Sequence, residues 1–516
     1  FTRIMRQPDQ LVALGDNKVR AVASDGAGKL WLATNAGLNL YDPATATTVK
    51  VYRHDPKNPN SLVATMGTAL ARESSGVLWI GGSSGVTRFD PATGRFVRRV
   101  LVPGDVEANE VRYMTIDRAG MLWIASSGGL HRLDPASGQL TTYRRDPGDA
   151  STLTDNIVRP ILEDRHGRLW VGTFDGLNLL DRATGKFRHF HHDERDPSSL
   201  SHDEVHYLLE DSKGNLWVGT AGGINRLVEG KDGKVSFLRY TARDGLGSDD
   251  VAAMLEDRNG RIWVSTSVGL SCLDPATSSW RNYAAADGTI EGAYYDTSAL
   301  AGADGTLYFG GFNGITAFNP DEIRDNSIAP RAVITGFQIF NRPLSQLRRE
   351  GPIEHARSIH LSAAESVFTL EFSALHYAAP QRNRFAYKLE GFDRDWVSTD
   401  ATKRFATYTN LDPGRYVFQV RAANKDGVWS TTPASLDIVI EPPYWRTWWF
   451  RMLGLLLLLG AGYGIVVARL SNLRRQKELL ERQVSARTER IEQQNRLLER
   501  QTNELRERER QVSRNT

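Results

Sequence analysis

An apolar residue followed by an aromatic one recurs at a nearly constant interval through the first 310 residues or so. The pairs are Leu30-Trp31, Leu78-Trp79, Leu122-Trp123, Leu169-Trp170, Leu216-Trp217, Ile262-Trp263 and Leu307-Tyr308. Their aromatic members lie 48, 44, 47, 47, 46 and 45 residues apart. One four-stranded propeller blade takes roughly 40–50 residues. The interval therefore predicts seven structural repeats.

Each repeat has the same order of apolar stretches and turns. In the fourth one, the apolar stretch 158–162 ends in the acidic turn 164–167, and the strand Leu-Trp-Val-Gly-Thr follows. Asp hydrogen-bonds the backbone of such a turn, and Gly adopts the positive φ that ends it. Two more short strands complete the unit. Four strands and three turns, repeated seven times, predict a mainly β chain with a seven-bladed β-propeller over residues 1–322.

The seventh repeat lacks its fourth strand. It reaches Ile315–Phe318 and then leaves the pattern, whereas Phe1–Met5 matches the missing strand. We expect the two segments to pair and close the ring, because pairing covers an exposed strand edge. The alternative is that Phe1–Met5 ends another propeller lying before this chain.

The repeats resemble the two-component regulator propeller family, whose repeat reads N-x-V-x-x-I-x-E-D-x-x-G-x-L-W-V-G-T-x-x-G-L. The best local match is 156–177, and 309–314 resembles the terminal blade of that family. Members often carry two propellers, so the resemblance leaves open a second one before Phe1. The resemblance also implies a membrane-bound sensor, either a simple or a hybrid histidine kinase, whose output domain lies beyond this chain.

Residues 330–442 have the alternating pattern of a small immunoglobulin- or fibronectin-like β-sandwich. The segment 387–396 and the corner 408–416 resemble the three-tyrosine (Y_Y_Y) domain that follows these propellers, with Tyr387, Tyr408 and Tyr416 as the three tyrosines. We expect them to be core and corner residues rather than ligand contacts. A Tyr after Pro-Gly can return its hydroxyl to nearby backbone.

Residues 447–468 are predicted to form one transmembrane helix. An aromatic cluster at 444–450 precedes seventeen uncharged residues, 452–468, and Trp and Tyr favour membrane interfaces. Four basic residues follow at 469–477, and two precede the uncharged stretch. The positive-inside rule then places the carboxy-terminus in the cytoplasm and the β domains in the periplasm, with the span in the bacterial inner membrane.

Residues 469–516 are predicted to form a signalling coiled coil that holds a parallel homodimer. One heptad column is apolar, at Leu470, Val484, Ile491, Leu498, Leu505 and Val512. The second column starts with Leu473 and Leu480 and then becomes polar, at Arg487, Gln494, Gln501 and Arg508. Polar core positions cost stability but fix register. A simple spacer helix is the alternative. The segment 483–489 resembles the linker before histidine kinase or diguanylate cyclase domains without distinguishing them.

Few residues of the sequence are candidates for metal binding or catalysis. His189, His191, His192 and Asp193 are close in sequence and could bind zinc, but the same slot holds other polar residues in other repeats. Glu-Asp pairs at 163–164, 210–211 and 256–257 recur in one slot, which favours a turn-forming role over acid–base catalysis. The sequence therefore assigns no catalytic, metal or cofactor-binding residues, and ATP or GTP with magnesium is expected only for an output domain.

Composition narrows the classes of function. A net charge of +3, from 64 basic and 61 acidic residues, gives no case for nucleic acid. Cys272 is the only cysteine, which excludes a disulfide framework and a cysteine-based zinc site. Because the chain begins at Phe1, we expect it to be part of a longer exported protein.

These patterns favour a periplasmic ligand sensor coupled through the membrane to a histidine kinase. The ligand is expected to be a small molecule, with glycan fragments implied by the family resemblance. A cyclase output is the first alternative. The second alternative is a membrane-anchored periplasmic protein that is either a propeller enzyme or a scaffold. For the enzyme, the irregular stretch Glu291–Tyr295 is the best candidate for the active site.

Overall fold

The computed structural model describes residues 1–6, 14–230, 232–324, 326–347, 353, 356–377 and 379–512. The chain forms two compact units, Phe1–Asp325 and Asn326–Thr516.

The first unit consists of seven four-stranded antiparallel sheets, numbered here in chain order. Sheets 1 to 3 are Val19–Ser24, Leu30–Thr34, Gly37–Asp42 and Thr47–Tyr52; Gly67–Arg72, Leu78–Gly82, Gly85–Asp90 and Arg95–Arg99; and Val111–Ile116, Leu122–Ser126, Gly129–Leu133 and Leu140–Tyr143. Sheets 4 to 6 are Val158–Glu163, Leu169–Thr173, Gly176–Leu180 and Phe187–Phe190; Val205–Glu210, Leu216–Thr220, Gly223–Glu229 and Val235–Tyr240; and Val251–Glu256, Ile262–Thr266, Gly269–Asp274 and Ser279–Tyr283. Sheet 7 is Tyr294–Ala301, Leu307–Gly311, Gly314–Phe318 and Thr2–Ile4. Short helical turns are Val106–Asn109, Ala242–Asp244, Ala285–Asp287 and Pro320–Glu322.

The sheets form a closed ring. The first strand of each sheet contacts the first strand of the next, and that of sheet 7 contacts that of sheet 1. The first strands therefore surround a central channel, as in a β-propeller. The predicted mainly β architecture is confirmed.

The predicted closing strand is confirmed by its register. Thr2 lies opposite Ala317 and Ile4 opposite Ile315. The Phe1 ring also packs against Tyr283 of sheet 6 and Phe318 of sheet 7, at centroid distances of 5.1 and 4.8 Å. Both ends of the propeller sequence thus meet in one sheet.

The recurring tryptophans join neighbouring sheets. Trp123 of sheet 3 packs in one cluster with Val158 and Leu169 of sheet 4, and Trp170 of sheet 4 packs with Val205 of sheet 5. A buried aromatic side chain removes about 150–250 Å² from water. The aromatic residues therefore recur at a constant interval in the sequence because each one makes the same contact with the next sheet.

The first residue of each third strand must be glycine because the backbone of the fourth strand lies too close for a side chain. Gly223 has a φ of +115°, and a Cβ there would lie 2.4 Å from the Tyr240 carbonyl oxygen in the fourth strand. Only glycine adopts this conformation readily.

The second unit contains two sheets that share one apolar core. The four-stranded sheet runs in the order Arg342–Pro343, Arg331–Ile339, Val367–Leu375 and Phe405–Thr409. The five-stranded sheet runs in the order Ser358–Leu361, Ala434–Ile440, Gly414–Ala423, Arg384–Glu390 and Val397–Asp400, with its first pair parallel. Short helical turns are Leu344–Leu347, Pro380–Arg382 and Tyr444–Arg446. Phe372 of the first sheet packs against Phe385 and Phe418 of the second, which makes this unit a β-sandwich.

The three tyrosines have structural contacts. The Tyr416 hydroxyl donates to the Asp412 carbonyl oxygen at 2.8 Å, which confirms the predicted corner. Tyr408 is buried and donates to Asp393 Oδ2 at 2.8 Å, and the Tyr387 ring stacks beside Phe418.

The last element of the described residues is one long helix, Trp448–Val512. Among the described residues, it is the one helix long and apolar enough to cross a membrane. Its apolar side chains, including the run Leu455–Leu459, are exposed to the surroundings. Aliphatic side chains exposed over five consecutive positions suit a lipid environment rather than water. The predicted coiled-coil residues 513–516 lie outside the described residues.

Candidate ligand site at the mouth of the propeller channel

The second residue of every first strand occupies an equivalent position at one end of the channel. These residues are Arg20, Thr68, Arg112, Arg159, His206, Ala252 and Tyr295. The residue before each of them pairs with the last residue of the second strand, and the register then shifts. Such bulges re-aim side chains.

Five of these side chains, all except His206 and Ala252, border a shared cavity of about 130 Å³, which we call the mouth. Its lining comprises Arg20, Met66, Thr68, Glu110, Val111, Arg112, Arg159, Tyr295, Asp296 and Thr297. In sheet 7 the irregularity is larger, extending from Tyr294 to Ala299. Thr297 has a φ of +63°, an uncommon value for a β-branched residue. The sheet 7 bulge therefore brings three consecutive residues, 295–297, into the mouth.

The turn between the second and third strands supports the mouth residue of its own sheet. Arg20 Nε donates to Asn35 Oδ1, and Arg112 Nε donates to Ser127 Oγ, both at 2.8 Å. In sheet 4 the same turn position is Phe174, and the Arg159 guanidinium lies 4.2 Å from its ring centroid. Each arginine is thus fixed by a partner fifteen residues later.

Acidic groups surround Arg159. Its Nη1 lies 2.6 Å from Asp296 Oδ2, and its Nη2 lies 3.3 Å from Glu204 Oε1. Burial raises the pKa of the Asp296 carboxyl, against the opposing effects of His206 and Arg159. The positive charge of Arg159 is therefore compensated inside the protein.

Arg20 and Arg112 have less compensation. The Arg20 guanidinium lies 4.6 Å from the Tyr295 ring centroid, and no carboxylate of the described residues is within 4.0 Å of its nitrogens. Arg112 has one loose ion pair, 3.8 Å from Glu110 Oε1. A guanidinium group that is anchored through its Nε keeps the N–H groups of its other edge available for a planar anion. The mouth is therefore suited to an anionic group.

His206 holds the equivalent position in sheet 5 but is only 5 % exposed. Its Nδ1 donates to the Val251 carbonyl oxygen at 2.8 Å, and its Nε2 lies 3.2 Å from Glu204 Oε1. The Nδ1 bond joins sheets 5 and 6, and His206 is not among the residues that line the cavity.

The four residues of the histidine-rich segment 189–193 have different hydrogen-bond partners, although the His189 and His191 rings lie 6.2 Å apart. His189 Nε2 donates to the Thr152 carbonyl oxygen at 2.7 Å, and His192 Nδ1 donates to that of Leu200 at 2.6 Å. Asp193 accepts from the Arg195 backbone. His191 instead faces Asp175 and Asp203, which are distant in sequence.

In each repeated Glu-Asp pair the Asp side chain closes a turn, as predicted. Within a sheet, Asp211 Oδ2 accepts from Trp217 Nε1 at 2.9 Å, and its Oδ1 accepts from two turn N–H groups. Asp117, Asp164 and Asp257 bind their tryptophans in the same way. Between sheets, Glu210 Oε2 accepts from the Arg165 backbone at 2.8 Å. The Asp closes its own turn, and the Glu holds the turn of the preceding sheet.

The irregular stretch Glu291–Tyr295 divides between core and mouth. Tyr294 is buried and shares a 2.6 Å hydrogen bond with Thr316 Oγ1, and burial raises its pKa to about 12. Tyr295 lines the mouth and stacks on Phe312 at 4.1 Å. Arg20, Arg112 and Arg159 were not predicted from the sequence, although an alignment of the first strands of the repeats shows three arginines at one position.

Comparison with known protein families agrees with an architecture of propeller repeats followed by a β-sandwich domain. The family model described as two component regulator propeller matches residues 152–175, 199–222 and 245–267, and the Y_Y_Y domain model matches residues 376–441. The chain therefore combines two component regulator propeller repeats with a Y_Y_Y domain, and the family resemblance seen in the sequence is confirmed.

Two similar proteins carry the comparison further. Histidine kinase P4 of Formosa agariphila is 33% identical over 171 residues, which are 32% of this chain and 12% of that kinase. The extracellular domain of a protein named as the hybrid two component system BT3049, from B. thetaiotaomicron, is 26% identical with a TM-score of 0.72, over 85% of this chain and 57% of that chain. This chain thus spans less than two thirds of either relative. This chain is therefore homologous to part of a histidine kinase, and it has the fold of the extracellular domain of a two component system.

Proposed function

We propose that this chain is the ligand-sensing and transmembrane part of a bacterial two-component receptor with a histidine kinase output. The propeller mouth binds the ligand outside the cytoplasm, and the long helix carries the signal through the inner membrane. The observation that carries the proposal is the pair of weakly compensated arginines, Arg20 and Arg112, at the mouth of a sensor-type propeller. The ATP and magnesium chemistry belongs to the output domain.

The mouth favours a small ligand that bears a carboxylate. Its lining holds three arginines against Glu110 and Asp296, and Asp296 is already engaged with Arg159. A carboxylate between Arg20 and Arg112 would add charge-assisted hydrogen bonds, the strong kind. An acidic sugar fits both this chemistry and the glycan ligands implied by the family resemblance.

The basic residues around the helix support the orientation. Arg446 and Arg451 lie on one side of the uncharged stretch, and the segment 469–477 on the other side carries four basic residues. The excess supports a cytoplasmic carboxy-terminus and a periplasmic propeller.

The periplasmic enzyme alternative required a non-repeating His, Asp and Arg cluster near the channel. His206, Asp296 and Arg159 form such a cluster. However, His206 is buried against Glu204 and the Val251 carbonyl group. The cluster is therefore better explained as an internal ion-pair network than as an active site. This favours the sensor over the periplasmic enzyme.

The coding sequence after Thr516 tests the output. An in-frame extension with a phosphoacceptor histidine box is expected. A cyclase signature would replace the kinase output with the alternative, a diguanylate cyclase. A stop codon directly after Thr516 would contradict an output domain.

The helix after the span is proposed to dimerise in parallel through its apolar heptad column. With Val484→Cys we expect rapid disulfide cross-linking between two copies in membranes under mild oxidation, because equivalent column positions face each other. Cross-linked dimer on a non-reducing gel is the measurement. The native Cys272 is buried and adds little background.

Glu489→Cys is the matched control, because position 489 lies on the opposite side of the heptad from the apolar column. It should cross-link far more slowly than Val484→Cys. Equal rates at both positions would favour the spacer-helix alternative.

A further inference from the structure

We propose that Asp175, His191 and Asp203 bind a divalent transition metal ion, with zinc as the preferred ion. His191 Nδ1 lies 3.7 Å from Asp175 Oδ1 and 3.5 Å from Asp203 Oδ1. One ligand atom from each of the three side chains lies within 4.8 Å of the others. This metal site is independent of the ligand proposed for the mouth.

The separations suit a common ion. Zinc–nitrogen and zinc–oxygen bonds are about 2.0–2.2 Å, and two such ligands at a tetrahedral angle lie about 3.4 Å apart. The two His191 distances exceed this value by a few tenths of an ångström, which side-chain rotation covers. All three side chains are partly exposed to solvent, so a water molecule can occupy the fourth position.

The backbone around the cluster orients its members. Asp203 Oδ1 accepts from the His192 backbone N–H at 2.7 Å, and such outer contacts fix metal-binding carboxylates. The Asp175 backbone N–H donates to Thr173 Oγ1 at 3.2 Å. The absence of a side chain at Gly176 leaves room for the ring, since a Cβ there would lie 3.0 Å from His191 Nδ1.

The cluster is a break in the repeat. The position of His191 holds Met5, Arg53, Val100, Arg144, Thr241 and Ala284 in the other sheets, and the position of Asp175 holds Ala36, Ser84, Gly128, Gly222, Val268 and Asn313. The position of Asp203 is an Asn or Asp with a backbone role in several sheets, as in Asn17 and Asn156. Only sheet 4 combines an imidazole with two carboxylates here, so folding alone does not account for His191 and Asp175.

The ligand set selects the class of ion. One imidazole nitrogen and two carboxylate oxygens suit zinc and its neighbours, whereas calcium and magnesium prefer oxygen ligands alone. A contribution from His191 therefore distinguishes a transition-metal site from a general attraction of cations to two carboxylates.

The test is calorimetric titration of the full chain in detergent, without a histidine tag and after chelator treatment, with zinc chloride alone. We expect one tight site, whose affinity falls at least tenfold in His191→Ala and in Asp175→Asn. His166→Ala is the matched control, because His166 is an exposed histidine in a different turn of the same sheet, and its zinc isotherm should equal that of the parent.

Calcium chloride, titrated in parallel, should show no dependence on His191. Absence of zinc binding to the parent would overturn the proposal and leave His191 as a polar neighbour of the two carboxylates. An unchanged zinc isotherm in both variants would overturn it as well. Near-ultraviolet circular dichroism checks that each variant is folded.

Discussion

Asp211→Ala is expected to lower the free energy of unfolding of the propeller by about 3 kcal/mol. The substitution leaves the indole N–H of Trp217 without a partner, and this side chain is fully buried. A buried polar group left unsatisfied costs about 1–3 kcal/mol. The lost bonds to the Lys213 and Asn215 backbone add roughly 1 kcal/mol each at most.

The measurement is the thermal midpoint of the full chain in detergent, followed by tryptophan circular dichroism. A fall of roughly 3–6 °C is expected for a domain of this size. Asp181→Ala is the control, because Asp181 also closes a turn but lies at the surface. Equal losses for the two variants would contradict a special role of the Asp–Trp bond.

The same network predicts how stability depends on pH. Although burial opposes ionisation, hydrogen bonds from tryptophans and turn N–H groups hold the pKa of Asp117, Asp164 and Asp211 below its ordinary value. A depressed native pKa adds stability above the unfolded value, about 3.9, and this stability is lost as the pH falls through the native values. The thermal midpoint should therefore drop steeply below about pH 4.

Asp211→Asn tests the origin of that drop, because the amide cannot titrate. Its midpoint should be lower than that of the parent at pH 7 and should fall less between pH 5 and pH 3. A parallel fall in both proteins would assign the acid sensitivity to other carboxylates.

The fold was accessible from the sequence because its contacts are periodic. Each buried tryptophan, each acidic turn and each glycine at the third strand serves the same contact in successive sheets, so seven copies of one pattern reinforce each other. Even the closing strand Thr2–Ile4 followed from counting which strand the seventh copy lacks. The Tyr416 corner was similarly predictable, since its hydrogen bond reaches only four residues back.

The candidate sites were not accessible in the same way, because they depend on where the repeats differ. Comparing the position of His191 along the chain showed that polar residues occupy it in some other repeats, but it could not show that His191 meets Asp175 and Asp203 from two other turns. The mouth was not predicted for a different reason, because its arginines occupy the same position in their repeats and do not stand out from the pattern. Arg20, Arg112 and Arg159 share one slot, and only the closed ring makes residues from different sheets neighbours.

Arg112→Ala is expected to weaken binding of an acidic sugar at the mouth by about ten- to a hundredfold. Hydrogen bonds to charged groups contribute about 1.5–3 kcal/mol each, and among the described residues Arg112 has only the distant Glu110 as a competing anion. Arg20→Ala should have a similar effect, since Asn35 and Tyr295 hold its guanidinium without neutralising it. Arg159→Ala differs, because it leaves Asp296 and Glu204 without their cation and should impair folding before binding.

D-glucuronate and D-glucose, titrated separately into the full chain in detergent, are the matched probes, because they differ only at the carboxylate. The parent should bind glucuronate more tightly than glucose, and Arg112→Ala should reduce that preference. Arg112→Lys should recover part of it, since lysine keeps the charge but not the planar pair of donors. Arg188→Ala, which removes an exposed arginine stacked on Phe190 in the fourth strand of sheet 4, should leave binding unchanged. If glucuronate and glucose bind equally to the parent, the mouth does not select a carboxylate, and the ligand class proposed for this receptor is wrong.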